Sequence, residues 1–290
     1  MNDAISLRAP RGALLVVPAL MLFAGMLLVP LLMVGALSIH EFSSAHGVQA
    51  TFTAANFLSV LTDSYYLEIF ARTLWLSLCV TGLTLLFGVP ETLVLARMRA
   101  PWRGIFLVVL LCPLLISVVV RTLGWAILLG NNGLINGALT ALGLVDQPVG
   151  FMYSFAGMVI GLTHIGMPFM VVAVWASLQR LDPQMEQAAA SFGAGPLTVF
   201  FRVTLPQIVP GILSGAIIVF AMSASSFATP ALLGGRRLKV VATVTYDEFL
   251  STLNWPLGAA IALILLGFNL FLIGGLNRLV ERQLKHLFSA

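Results

Sequence analysis

Charged residues are scarce in this sequence: they make up 9% of its 290 residues, whereas hydrophobic residues make up 59%. A soluble globular protein is about one quarter charged. Because 15 Lys and Arg with 11 Asp and Glu cannot cover a water-facing surface for a chain of this length, the composition excludes a soluble enzyme. Together with a mean hydropathy of +1.02, it predicts a polytopic membrane protein.

Motifs for chemistry are also missing. The two cysteines, Cys79 and Cys112, lie inside apolar runs and are interpreted as small hydrophobic residues rather than redox or metal groups. The sequence contains no GxxxxGKS/T phosphate loop, no paired HxxxH or CxxC ligands and no nucleophile elbow. We therefore expect a protein that is not an enzyme, has no cofactor of its own, and draws energy from an ion gradient or from a partner.

Long apolar runs are abundant instead. A helix of about 20 apolar residues crosses the hydrocarbon core of a bilayer, and lipid offers no hydrogen-bond partner to open strand edges. We predict an all-α membrane protein with six spans, at 12–37, 69–96, 105–129, 155–178, 208–229 and 257–277. The expected organisation is an N-terminal segment 1–11, a six-span domain 12–277 and a C-terminal tail 278–290.

The distribution of basic residues predicts the orientation of these spans. Six spans place both termini on one side, together with ten of the Lys and Arg residues: Arg8, Arg11, Arg97, Arg99, Arg103, Arg180, Arg202, Arg278, Arg282 and Lys285. The opposite loops, 39–68, 130–154 and 230–256, contain only Arg236, Arg237 and Lys239. The positive-inside rule therefore places both termini in the cytoplasm. Each opposite loop is long enough to form a short helix.

The substantial cytoplasmic loop, 179–207, has the pattern of a folded element. Asp182 is a favourable N-cap, Pro183 a favourable first helical residue and Gly193 a favourable residue just beyond the helix end. A second short helix is predicted before Pro206. Two such helices form a compact surface that another protein can bind. The alternative, a plain linker between spans, needs no capping residues.

This loop resembles one in the permease subunits of ATP-binding-cassette (ABC) importers, which reads E-A-A-x-x-x-G, then nine residues, then I-x-L-P. Here Gln187-Ala188-Ala189 is followed, after three intervening residues, by Gly193, and Val203-Thr204-Leu205-Pro206 follows after nine more. The spacing agrees throughout. Two residues depart from the pattern: Gln187 stands in the Glu position, directly after Glu186, and Val203 replaces Ile.

In that family the loop sits in a groove of the ATPase subunit and transmits its closure to the spans; we call residues 179–207 the coupling loop. The resemblance assigns this role in the present chain to Glu186, Gln187, Ala188, Ala189, Gly193, Leu205 and Pro206. The resemblance implies a type I importer permease of the MetI-like fold in a bacterial inner membrane. It also implies a second permease subunit, two ABC ATPase subunits that bind ATP and Mg²⁺, and a periplasmic solute-binding protein.

Further motifs are similar to the spermidine/putrescine-type branch of these importers. They are 117–121 with Trp125, 133–136, 168–170, 229–235 and 254–259. Polyamine permeases commonly read G-E-F-V-T-P-D-L-L-G-G where this chain has residues 225–235, so both acids are replaced, by Ser226 and Ala231. Since an acid near the path attracts a polycation, this departure argues against a simple polyamine. The expected solute is small, polar and organic: polyamine-like, a phosphonate or amino-acid-like.

Polar residues inside the spans are candidates for the translocation path, because charge at membrane depth usually faces protein or water. The candidates are Arg121, Trp125, Ser223, Ser225, Ser226 and Thr229. Arg121 either lines the path or is a structural arginine that bonds carbonyls and a partner subunit. The hydroxyls either line an aqueous path up to a break at Pro230, or bond their own helix. His164 is expected to be a packed histidine.

One competing function belongs to a different class, an ion-coupled secondary transporter that acts without an ATPase. Such a carrier needs paired intramembrane acids to bind protons or sodium, and these are scarce here. The coupling-loop motif also argues against it. We therefore expect the importer permease.

Overall fold

The computed structural model describes residues 11–288. Its helices are α1 Arg11–Ser38, α2 Ala55–Thr62, α3 Ser64–Arg97, α4 Trp102–Leu111, α5 Val118–Leu129, α6 Leu134–Ala141, α7 Phe155–Leu178, α8 Pro183–Ser191, α9 Pro196–Val199, α10 Leu205–Ala224, α11 Val241–Leu250 and α12 Trp255–Phe288. A 3₁₀ turn covers Cys112–Leu115, and π-turns cover Phe200–Thr204 and Pro230–Gly234. Two strands, β1 His40–Ser43 and β2 Gly47–Phe52, pair antiparallel.

Six segments are long and apolar enough to cross a membrane, which confirms the predicted fold class. They are Val16–Ser38, Ser64–Arg97, Val118–Ala141, Phe155–Leu178, Pro196–Ala224 and Trp255–Gly275. The prediction for the fourth span agrees with α7 at both ends. The loops 39–68, 130–154 and 230–256 contain the short helices α2, α6 and α11, as expected. Helix α6 also forms the end of the third segment, which runs beyond the predicted end at Leu129 to Ala141.

The third span is not one helix, so the prediction of a continuous span at 105–129 is wrong. Helix α4 passes into the 3₁₀ turn, and Ile116 is extended, at φ −92° and ψ 136°. Helix α5 begins only at Val118. Pro113 weakens the helix at this point, because its nitrogen has no hydrogen to donate to the preceding turn. Apolarity alone does not show such a break.

The fifth span also has different ends from the predicted 208–229. Helical backbone runs from Pro196 through the first π-turn into α10, and it stops at Ala224. Leu205 N–H donates to the Phe200 carbonyl, five residues back, because the turn has widened just before Pro206. At the other end the Ser225 hydroxyl donates to the Ala221 carbonyl at 2.7 Å and so competes with the backbone ladder. The break therefore precedes Pro230.

The described chain divides into two compact units, one formed by residues up to Thr62 with Thr245–Ile264, the other by Asp63–Val244 with residues from Leu265 onward. In the second unit, α3, α7 and α10 pack against one another. Helix α7 is the most buried span, and Met170 and Val174 on it are inaccessible. A helix that is apolar all round belongs in the interior.

Close helix approach explains the small residues of the spans. A Cβ on Gly215 of α10 would lie 2.8 Å from the Met170 sulfur of α7, and one on Gly161 would lie 2.7 Å from Leu233 Cδ1. A Cβ on Gly211 would overlap the Ser177 hydroxyl. These three glycines thus allow close packing between elements of this chain.

The strand pair in loop 39–68 was not predicted. The register pairs His40 with Phe52 and Ser43 with Gly47, with an irregularity between His40 and Phe42. Gly47 has φ +72°, which glycine adopts without strain. Asn56 joins the hairpin to the end of α1, since its Nδ2 donates to the carbonyls of Ser38 and His40 at 2.9 and 2.8 Å.

Candidate functional site

The first helix of the coupling loop has defined ends. Asp182 is its N-cap: Asp182 Oδ1 accepts from Gln184 N–H at 2.9 Å, and Pro183 occupies the first turn. Beyond the C-terminus, Gly193 adopts φ +81°, and Gly193 N–H donates to the Ala190 carbonyl at 2.9 Å. A side chain at Gly193 would be strained by this φ, not by crowding. Helix α8 is therefore a short, capped element.

Glu186 attaches α8 to the base of α10. Thr204 Oγ1 donates to Glu186 Oε1 at 2.6 Å, and Thr204 is only 4% exposed. Gln187 and Ala188 are exposed, and Ala189 is half-buried. The carboxylate at 186 thus bonds within the loop, whereas the side chain at 187 faces outward. Leu205 and Pro206 lie at the start of α10, where Leu205 packs against the core.

The coupling loop presents an apolar surface. Phe192 is 92% exposed, Leu197 73% and Phe201 59%, and Met185 on α8 is half exposed. Four large apolar side chains on one short loop are unusual for a water-facing surface and are typical of a protein interface. The motif in the sequence identified the loop but not these residues. The sequence nevertheless contained a sign of their exposure, because all four lie between Asp182 and Pro206, in a segment too short to bury them.

A polar cluster lies between α5 and α7. The indole of Trp125 meets the ring of His164 edge to face, with centroids 5.5 Å apart, and the Arg121 guanidinium lies within electrostatic range of His164. Arg121 Nε and Nη1 and His164 Nδ1 are shielded from solvent and form no hydrogen bond with any described residue. Buried polar groups usually have partners. These three atoms therefore need a group beyond the described residues, such as a solute, water or a second subunit.

The candidate hydroxyls do not all meet. Ser223 and Ser226 line a cavity of about 90 Å³ with Val118 of α5 and Leu162 of α7. Ser225 is exposed and bonds its own helix. Thr229 is inaccessible, and its hydroxyl lies 3.0 Å from that of Thr122, so it joins α5 to the second π-turn. Ser223 and Ser226 thus line one cavity, whereas Ser225 and Thr229 bond elsewhere.

Metal chemistry has no visible site within residues 11–288. No three His, Cys, Asp or Glu side chains in this part of the chain are positioned to hold a metal ion. The arrangement consists instead of an exposed apolar surface on the coupling loop and a small, mostly apolar cavity between α5, α7 and α10 that two serines line.

The family model for the binding-protein-dependent transport system inner membrane component matches residues 88–286. The chain belongs to this family. It is a multi-pass inner-membrane protein and a permease subunit of an ABC importer, and therefore a transport component rather than an enzyme. The predictions of fold class, family and non-enzymatic role are confirmed, and nothing in the comparisons supports a secondary transporter.

Two relatives show the range of the family. The permease is 30% identical to the spermidine/putrescine transport system permease protein PotB of Escherichia coli over 259 residues, 88% of this chain and 94% of PotB. It is 34% identical to the molybdenum transport system permease protein ModB of Mycobacterium tuberculosis over 186 residues, 64% of this chain and 68% of ModB.

Solved structures show the same fold. A bacterial ABC transporter that imports the acidic polysaccharide alginate superposes with a TM-score of 0.75 at 20% identity, over 93% of this permease and 94% of that chain. The same kind of transporter, in complex with an alginate pentasaccharide-bound periplasmic protein, gives 0.76 at 20% identity, over 94% of each chain. At this identity the likeness describes architecture alone.

Proposed function

We propose that this permease moves a small polar organic solute from periplasm to cytoplasm by alternating access, driven by two partner ATPases that bind ATP and Mg²⁺. The observation that carries the proposal is the apolar surface of the coupling loop, where Phe192 and Leu197 stand exposed beside the Gln187–Gly193 motif. Burying those side chains in a groove of the ATPase stabilises docking, since apolar area removed from water contributes about 25 cal/mol per Å².

The proposed mechanism uses α10 as the connection between the coupling loop and the path. Glu186 and Thr204 join α8 to the start of α10, and Ser223 lies near the other end of that helix, beside the cavity. A push on α8 is therefore delivered along a helix that packs tightly on α7. Thus rocking of α10 changes the cavity lined by Ser223 and Ser226.

The proposed topology places both termini and the coupling loop in the cytoplasm and the loops 39–68, 130–154 and 230–256 in the periplasm. The excess of Lys and Arg on the side of the termini supports it. A periplasmic binding protein then delivers solute to the face opposite the coupling loop. A second permease subunit, a copy or a paralogue, completes the path, and supplies partners for Arg121 or shares its contact with the solute.

The proposed solute is polyamine-like, a phosphonate or amino-acid-like, and we favour one that is not a simple polyamine. Ser226, in the position of a polyamine-branch acid, lines the cavity and offers a neutral hydroxyl. Ala231 likewise carries no charge. The polyamine relatives and the molybdenum relative share the family, so family membership alone leaves the solute class open.

Calorimetric titration of the cognate binding protein tests the solute class. The compounds compared are spermidine and putrescine, a series of phosphonates, and amino-acid derivatives, with inorganic molybdate as an additional ligand. Tight binding of a phosphonate or amino-acid derivative supports the proposal. Tight binding of spermidine shows that Ser226 and Ala231 carry no information about the solute.

A further inference from the structure

Four basic side chains meet in one pocket at the end of α10 opposite the coupling loop. The pocket has a volume of about 230 Å³ and is lined by Tyr65, Glu68, Ile69, Arg72, Arg236, Arg237 and Lys239. Because α10 begins at the coupling loop and ends at Ala224, the segment that follows it lies at the far end. We call this site the basic pocket.

The pocket is preformed by bonds between α3 and the segment 235–241. Arg72 Nη1 donates to the Lys239 carbonyl at 3.0 Å, and Val241 N–H donates to Thr73 Oγ1 at 3.0 Å. Gly235 turns the chain at φ +64°. These two bonds fix the backbone of the segment beside α3 before any ligand arrives, which lowers the entropy cost of binding.

The charge of the pocket is unbalanced. Its one acid, Glu68, is already paired with Arg72 through Arg72 Nη2. Arg236 and Arg237 are exposed, and they form no ion pair or hydrogen bond with any residue between 11 and 288 that the structure describes. Since arginine stays charged at every accessible pH, the pocket keeps a surplus of positive charge that attracts an anion.

The position of these charges is also unexpected. The loops 39–68, 130–154 and 230–256 contain three basic residues, and all three line this pocket, whereas the same loops contain six acids: Glu41, Asp63, Glu68, Asp146, Asp247 and Glu248. Basic residues are normally depleted on the outer side of a membrane protein. Three of them gathered at one point, in loops that are otherwise acidic, indicate a specific anionic ligand.

The lining favours a water-soluble anion over a lipid. Ile69 is the one aliphatic residue of the pocket, so the site lacks an apolar groove for an acyl chain. Helix α3 has 34 residues, about 50 Å at 1.5 Å per residue, which exceeds the roughly 30 Å of a bilayer core. Its first turns, with Tyr65 and Arg72, can therefore stand above the hydrocarbon.

We propose that the basic pocket receives acidic side chains of the periplasmic binding protein. This inference rests on the proposed function, which places this face in the periplasm. Carboxylates form bidentate pairs with arginine, and Arg236 and Arg237 are adjacent, exposed and part of the lining of one pocket. Complementary charge speeds encounter and fixes the orientation of the docked protein. Docking then acts on a segment that is bonded to α3 and continuous with the second π-turn.

The test uses the complete transporter in nanodiscs with its cognate binding protein, and it measures the concentration of binding protein that half-saturates ATPase stimulation. In the double variant R236Q/R237Q this concentration is expected to rise about tenfold at about 0.05 M NaCl. At about 0.5 M NaCl, where charges are screened, the difference from wild type should nearly vanish. R236K/R237K keeps the charge and should stay within about twofold of wild type.

R278Q serves as a matched control, because Arg278 is also exposed but lies in the C-terminal part of α12, outside the basic pocket. It should leave the half-saturating concentration unchanged. The proposal is overturned if R236Q/R237Q has the same half-saturating concentration of binding protein, and the same salt dependence, as wild type. It is also overturned if the variant changes only the apparent affinity for solute, or if the change is seen only with anionic lipids. If ATPase activity does not respond to binding protein at all, the proposed function itself fails.

Discussion

The two ends of α10 differ in what they present to a partner. At the coupling loop the exposed side chains are apolar, led by Phe192 and Leu197. At the opposite end they are basic, in the pocket of Arg236 and Arg237. Apolar contact is stable but non-directional, whereas charge pairing is rapid and sensitive to salt. We therefore propose that a permanent partner and a visiting one are recognised by different forces at opposite ends of one helix.

The largest effect is expected from placing charge on the apolar end. In F192D/L197D two carboxylates would be buried in the ATPase groove, which costs about 2–4 kcal/mol of docking free energy. The variant should lose its ATPase subunits during purification, and uptake should fall at least about tenfold. Pull-down of the ATPase with tagged permease measures the first effect, and solute uptake into vesicles measures the second.

F52D is the matched control, because Phe52 on β2 is 75% exposed and belongs to a loop proposed to face the periplasm. It should retain the ATPase fully. Retention of the ATPase and of uptake in F192D/L197D would show that the apolar end is not a docking surface.

A smaller effect is expected from disturbing the packing that connects the two ends. In G215V, extra atoms would press on the Met170 sulfur and on the Ala173 Cβ, which lie 2.8 and 3.2 Å from the position that a Cβ at residue 215 would occupy. Overpacking of this kind costs about 1–3 kcal/mol. The midpoint of thermal unfolding in detergent should fall, with uptake reduced. G82V is the control, since Gly82 has open space around its Cβ position; equal losses in both would contradict the packing effect.

A still smaller effect is expected from loosening α8. In T204V the hydroxyl that donates to Glu186 is replaced by a methyl of similar volume. A hydrogen bond to a charged acceptor contributes about 1.5–3 kcal/mol, so amide exchange in Pro183–Ser191 should accelerate at least tenfold, since about 1.4 kcal/mol corresponds to a factor of ten. S191A, which removes an exposed hydroxyl bonded within the same helix, should leave exchange nearly unchanged. Identical exchange in T204V and wild type would mean that Glu186 does not fasten the loop.

The smallest effect is expected at the family position itself. Gln187 is exposed, so a carboxylate at this position would remain solvated. Q187E restores the residue typical of the family, and uptake should stay within about twofold of wild type. A large loss would mean that the ATPase of this system has adapted to a neutral side chain at 187.

The sequence predicted the parts of the fold that depend on apolarity and spacing. The number of spans, the ends of α7 and the capped helix after Asp182 all follow from hydrophobic length, terminal residues and Pro or Gly positions. Thr229 was a reasonable path candidate by position. Its bond to Thr122, 107 residues away in sequence, is a tertiary contact that no local pattern reveals.

Other features were out of reach for a different reason. The break at Ile116 and the early end of α10 at Ala224 involve the missing N–H of Pro113 and the bond from the Ser225 hydroxyl to the Ala221 carbonyl, which hydropathy does not record. The basic pocket needs α3 and the segment after the second π-turn to meet, although Arg72 and Arg236 are far apart in sequence. Exposure of Phe192 becomes visible only when the whole loop is placed.

Vectorial reconstitution tests recognition at the two ends of α10 most directly. The complete transporter is placed in liposomes, with solute and binding protein supplied on one side and ATP on the other. We predict uptake only when the binding protein faces the basic pocket and ATP faces the coupling loop, with no transport by this chain alone. Uptake by the isolated chain under a proton or sodium gradient, without ATP or binding protein, would contradict it.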